Sequence, residues 1–224
     1  MSSSEKKSIQ LIHWPFIILI VCLVVLALGG LYAFFREKSY TKCLNELYSV
    51  QKEADTWLAD YKSAKESEDE TNMQELAAQS DEILARLDTL AGKSFPYITQ
   101  SVLFNKALIY YEQGENAASA EIFAKIFHRY AHSLLGVKAG LNAAAAYENA
   151  GETEQALNLY KKVAKAKKVP KLWEEASFHA ARMMESKDIV LAIELYRKLI
   201  NKLEDGNFWR ILAENRLLSL EIQQ

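Results

Sequence analysis

Few side chains in this chain combine a reactive type with a useful spacing. His128 and His132 lie four residues apart, a metal-chelating interval on one helix face. No third ligand accompanies them, and a histidine near a helix C-terminus is accounted for by the helix dipole. Glu174-Glu175 and the pair Glu152 and Glu154 read as solvated acids of helical first turns, not as an acid–base couple. The thiols are Cys22 and Cys43; Cys22 sits inside an apolar run, so the rest of the chain holds one thiol and forms no internal disulfide. A phosphate-binding loop, a glycine-rich dinucleotide fingerprint, a Gly-x-Ser-x-Gly elbow and a Cys-x-x-Cys pair are all absent from the sequence. The residues therefore predict no enzyme, no metal and no cofactor.

One dense basic run remains, made of Lys161, Lys162, Lys165, Lys167, Lys168 and Lys171. It reads as a solvated helix end whose charge complements the dipole. The sharper reading is contact with an acidic partner or with anionic lipid headgroups. A formal net charge of -2 gives no global electrostatic case for nucleic acid.

The elements that carry these residues are helices. Half of the 224 residues are apolar, with only 8 glycines and 3 prolines, so long helices with short connections are expected. Residues 1–13 form a short polar tail. From Trp14 to Phe35 no charged residue occurs, and the stretch carries aromatics at both ends. As a helix it would be about 33 Å long, close to the roughly 30 Å of a bilayer's hydrocarbon core. Its core is longer than that of a cleaved signal peptide, and Val21 before Cys22 does not suit a lipoprotein site. A retained transmembrane helix over 14–35 is predicted. Basic residues are nearly balanced across it, so orientation rests on architecture: a short tail, one span and a long domain suggest a bacterial inner membrane with the domain outside, in the periplasm.

Beyond the span, Tyr40, Leu44, Leu47, Gln51, Ala54, Leu58 and Tyr61 recur at helical spacing and form one stripe. A polar acidic stretch, 65–70, breaks the pattern. Thr71 with Gln74 forms a capping box for a second helix carrying Met73, Leu76, Ser80, Ile83, Leu87 and Leu90, which ends near Gly92. Residues 37–91 thus predict an antiparallel hairpin. The alternative is that the stripe at 40–61 pairs chains as a coiled-coil homo-oligomer.

Between residues 97 and 203 the sequence repeats itself with periods of 37 and 36 residues. Tyr110, Gly114, Ser119, Phe123 and Ile126 correspond to Tyr147, Gly151, Ala156, Tyr160 and Val163, and then to Met183, Lys187, Ala192, Tyr196 and Leu199. Gly114 and Gly151 mark sharp helix ends, and small residues at Ala107, Ala144 and Ala180 mark close crossings. Phe208, Trp209, Leu212, Ala213, Leu217 and Leu220 mark a last amphipathic helix over 207–224, expected to cap the array.

Aromatic, Gly, Ala, aromatic and small residue in this order resemble the tetratricopeptide repeat. The second repeat matches nearly completely. The first departs at Ser119, the third at Met183 and Lys187; Pro170 lies near the family's proline at the end of the second repeat. The resemblance implies an all-α, right-handed solenoid of antiparallel hairpins that binds other proteins. The hairpin at 37–91 would be a degenerate leading repeat. Carried over from the family, a concave protein-binding groove would be lined by Phe104, Asn105, Leu108, Tyr111 and Glu112, by Lys138, Leu141, Asn142, Ala145 and Asn149, and by Ser177, Phe178, Ala181 and Met184. Phe104 and Leu108 stand where a carboxylate clamp would need Lys and Asn, so an amphipathic or extended apolar segment is the expected ligand. The layout also resembles single-anchor tetratricopeptide proteins of bacterial inner membranes that accompany the Sec translocon and periplasmic chaperones.

Overall fold

A computed structural model describes residues 3–93, 95–166, 169 and 171–222, with the side chains of 3–13 and of Pro15 excepted. Lys167, Lys168 and Pro170, named above in the basic run and at the repeat end, lie outside the described residues. The chain divides into two compact units, residues 1–48 and 49–224.

The first unit is helical. It holds the beginning of α1 (Ser3–Glu66), whose apolar stretch has a mean hydropathy of 2.9 over its best window, with none of that window buried. By length and composition this stretch is able to cross a membrane. A soluble core helix meets the same test but would be buried; here the side chains from Phe16 to Phe35 are exposed.

The second unit holds the rest of α1, then α2 (Glu70–Ala91), α3 (Pro96–Glu112), α4 (Asn116–Tyr130), α5 (Leu134–Asn149), α6 (Thr153–Val163), α7 (Leu172–Met184), α8 (Ile189–Ile200) and α9 (Phe208–Ile222), with no strand among the described residues. Each helix from α2 onward packs on the next in sequence. In addition α3 touches α5, α5 touches α7, and α7 touches α9, whereas α4, α6 and α8 do not approach one another among the described residues. This sorts the helices into an inner row, α3-α5-α7-α9, and a splayed outer row. The arrangement is all-α and consistent with a tetratricopeptide solenoid.

The repeat positions explain the close packing. Ala107, Ala144, Ala156 and Ala192 are fully buried, Ala180 nearly so, and Phe123, Tyr160 and Tyr196 fill the space between hairpins. Ser119 stands where the other two repeats have alanine, because its hydroxyl donates to the Ala107 carbonyl at 2.8 Å, leaving no buried polar atom unpaired. The turns after α3 and α5 are identical. In each, the glycine N–H bonds three residues back and the next N–H five residues back, with φ of 84° at Gly114 and 80° at Gly151. The turn after α1 repeats the pattern with Glu68 at φ 54°. The third repeat needs no left-handed residue: Lys187 and Asp188 both donate to the Met184 carbonyl, and the Asp188 side chain caps α8 at Leu191. An L side chain in the left-handed region costs roughly 1–2 kcal/mol. Gly151→Ala is therefore expected to lower stability by about 1–2 kcal/mol, and Lys171→Gly, at φ 72°, to raise it by about 1 kcal/mol. Urea titration of both variants reads the opposite signs.

Three expectations need correction. The buried seam of α1 in the second unit is Val50, Ala54, Trp57 and Ala64, while Gln51 and Leu58 are half-buried. The helix is rotated by about one residue because Trp57 is the largest side chain available, and its indole N–H donates to the Leu76 carbonyl of α2 at 2.7 Å. Second, α2 is capped by Asp69, which accepts from Asn72 N–H at 3.1 Å, and starts at Glu70; Thr71 lies inside the helix. Third, α9 turns Ala213, Leu217 and Leu220 inward but leaves Phe208 of the expected apolar face exposed, on an outer surface that mixes Ile211, Leu218 and Ile222 with Glu214, Asn215, Arg216 and Glu221.

Candidate functional site

Two seams of the inner row are closed by the same three residue types. At the end of α5, Glu148 takes two bonds from Arg182 of α7, at 2.5 and 2.7 Å, and one from the Tyr160 hydroxyl of α6 at 3.3 Å. One seam further on, Glu185 accepts from the Tyr196 hydroxyl of α8 at 2.6 Å and from Arg216 Nε of α9 at 2.8 Å. An acid at the end of one inner helix, a phenol on the outer helix and a guanidinium on the next inner helix make a charge-assisted latch. Burial, and then the Glu148 carboxylate, push the Tyr160 phenol far above its ordinary value; burial and the bond to Glu185 do the same to Tyr196. Burial opposes the charge on Glu185, but the bonds from Arg216 and Tyr196 outweigh it and hold the carboxyl below its usual range. His179 stacks on Tyr160 at 5.2 Å, and burial, with Arg182 nearby, lowers its pKa, so the ring is neutral at neutral pH.

The α3–α5 seam lacks this latch. One repeat before Glu148 stands Tyr111, one before Tyr160 stands Phe123, and one before Arg182 stands Ala146. Neither charge is present, and the phenol oxygen of the outer helix is gone. The Tyr111 hydroxyl instead accepts from Asn149 Nδ2 at 2.8 Å. Beside Tyr111 and Phe123 the seam holds a pocket of about 160 Å³ lined by Leu108, Tyr111, Glu112, Phe123, Asn142 and Ala145. That is about five times a water's share of liquid volume, room for one apolar side chain. Its walls are mainly apolar, with the Asn142 amide and the Glu112 carboxylate at the rim. Lys62 neutralises Glu112 at 3.1 Å.

Of the groove residues read from the sequence, Leu108, Tyr111, Glu112, Asn142 and Ala145 meet in this pocket. Asn149 joins them through Tyr111, and Lys138 is exposed with its ammonium 5.5 Å over the Phe104 ring. Four others are core residues: Phe104, Asn105, Leu141 and Met184 are at most 7% exposed. Phe104 packs edge-on against Phe123, and Asn105 donates back to the Ser101 carbonyl at 2.8 Å. The reason is that α3 is enclosed by α2, α4 and α5, so most of its faces are covered. Ala181 is also buried, and the Ser177 hydroxyl is tied to the Trp173 carbonyl. Phe178 is half-buried in a ring cluster with Tyr196 and Trp209, 5.7 and 5.5 Å away.

His128 lies in the last turn of α4 and His132 beyond its C-cap, so the two do not share a helix face. Among the described residues no group of three or more His, Cys, Asp or Glu gathers as a metal site would require. The pattern of apolar positions finds Tyr160 and Tyr196 but neither the acids nor the arginines of the latch. Their signal is polar: Glu148-Tyr160-Arg182 and Glu185-Tyr196-Arg216 recur at nearly equal spacing.

The tetratricopeptide repeat model matches residues 101–133 and 138–166, which carry α4, α6 and most of α3 and α5. Neither the curated proteins nor the solved structures gave a match. The two matched segments support the tetratricopeptide repeat as the family of these hairpins, a family of interaction modules that are generally not catalysts.

Proposed function

We propose that this chain is a membrane-anchored interaction scaffold that holds a segment of a partner protein along its inner row of helices. One apolar side chain of that segment sits in the pocket between α3 and α5. The observation that carries the reading is the missing latch: the same seam that two neighbouring junctions close with Glu, Tyr and Arg is here left open, apolar and ringed by an amide and a paired carboxylate. An unfilled apolar recess with a few convergent polar groups is how proteins receive a side-chain anchor.

Residues 14–35 would hold the scaffold in the bilayer. The layout favours a bacterial inner membrane, with residues 49–224 on the periplasmic side, and an accessory role in translocation or envelope assembly. Protease added to intact spheroplasts should remove the domain; protection until the cells are lysed would reverse the orientation. Pairing of chains through residues 40–61 gains no support, because Leu47 and Ala54 of that stripe are already buried within one chain.

The pocket is tested by filling it. Ala145→Met places a flexible apolar side chain in the recess on a helix that tolerates it. With a photo-crosslinking residue at Asn142 in native membranes, a defined adduct is expected, weakened at least about tenfold by Ala145→Met, as befits loss of an interface anchor. Ala118→Met, exposed on α4, should leave the adduct unchanged. Equal adduct yield in both variants, with helicity retained, would remove the pocket from the function.

A further inference from the structure

The splayed outer row leaves a second recess on the other side of α7. Between α6 and α8 lies a cavity of about 430 Å³, whose floor is Trp173, Ala180, Leu195 and Leu199. Lys161 of α6 and Lys165 just past its end stand on one wall, Lys198 of α8 and Lys202 just past its end on the other, all exposed. Among the described residues, Lys161, Lys165 and Lys198 form no ion pair, whereas other charged residues of the array, such as Lys62, Lys106 and Arg182, do. The basic run of the sequence is thus only half of a feature: its Lys161 and Lys165 share the cavity with Lys198 and Lys202, 33 to 41 residues further along.

We infer that this recess docks an acidic segment of a partner protein, one that inserts an aromatic or branched apolar side chain between carboxylates. Charge complementarity carries the choice. The ammonium groups of Lys161, Lys165 and Lys198 around one apolar floor repel each other, and an occupant bearing carboxylates on both sides of an apolar group relieves that repulsion while covering Trp173 and Leu195. A bilayer surface is flat and meets protruding groups, whereas these lysines border a hollow. The site does not rest on the inner-row pocket: it lies between outer helices, and no residue lines both.

The test uses the full chain in zwitterionic detergent and a fluorescein-labelled peptide, EDLFED, followed by anisotropy. Saturable binding is expected, falling at least about tenfold in the double variant Lys165→Glu, Lys198→Glu, and falling when salt rises from about 0.05 to about 0.5 M as screening shortens the charge interaction. The peptide EDSSED, with the same charge and no apolar group, should bind at least about tenfold more weakly, a loss of the order expected for removing two buried apolar side chains. Ala145→Met should leave EDLFED binding unchanged, which separates failure of this site from failure of the inner-row pocket. Equal affinity for the two peptides, undiminished binding by the double variant, or uptake of phosphatidylglycerol vesicles without peptide binding would each overturn the inference. So would self-association of the chain that blocks the peptide.

Discussion

Gly136→Ala is expected to destabilise the second unit by about 3 kcal/mol, although helix propensity alone would favour alanine there by about 1 kcal/mol. Gly136 lies in the first turn of α5, where its N–H is capped by the Ser133 hydroxyl at 2.9 Å. A Cβ at this position would collide with the carbonyl carbon and oxygen of Tyr130, at the end of α4. Backbone cannot swing aside as a side chain does, so α4 and α5, which pack directly on each other, must separate. At Gly140 the added atom would lie 2.6 Å from the Phe127 ring and 2.8 Å from Val163, contacts with side chains and not with backbone, so Gly140→Ala is expected to cost less. Gly92 has nothing within 4 Å of its would-be Cβ and an ordinary helical φ of -71°, so Gly92→Ala should be neutral or slightly stabilising. Thermal unfolding of the three variants reads the ranking. For a unit of this size about 3 kcal/mol corresponds to a fall in Tm of about 6–12 °C. If Gly136→Ala melts with Gly92→Ala, the proposed close approach of α4 and α5 is wrong.

Trp57→Ala should cost about 3–5 kcal/mol, the range for deleting a buried indole, and the loss should be local. Trp57 is 2% exposed, stacks on Tyr61 at 4.8 Å and bonds the Leu76 carbonyl, so it ties α1 to α2. In a row of hairpins each touches chiefly its neighbours, and stability is nearly a sum of local terms. The leading hairpin should therefore open while the middle of the row holds. Hydrogen exchange is expected to lose protection over residues 50–90 and to keep it over α5 and α6. Trp57→Phe, which retains most of the buried area and loses the N–H, should cost nearer 1 kcal/mol. Uniform loss of protection across 50–200 would show a single cooperative unit in place of a row.

The repeat itself was plain in the chain, because its determinants are local. Gly114 and Gly151 take left-handed angles, and Ala144 and Ala156 are small, at fixed places in each hairpin. The phase of α1 was not. Its apolar residues allow two stripes offset by one position, and only the fit of Trp57 over α2 selects between them. The groove was half legible. Leu108, Tyr111 and Asn142 follow the family pattern into a pocket, but Phe104 and Leu141 follow it into the core, since a pattern assigns a helix face without saying how many neighbours cover it.

By itself the sequence determined an apolar stretch from Trp14 to Phe35, a repeat of 36–37 residues, and helices in alternating order, all properties of neighbours along one chain. Only the tertiary structure decided which seams are latched and which lies open, and which lysines face each other across a hollow. Glu148 and Arg182, or Lys165 and Lys198, are more than 30 residues apart, and such pairs meet only once the hairpins have stacked. Burial and charge at a site are sums over everything that surrounds it, and that sum exists only in the folded row.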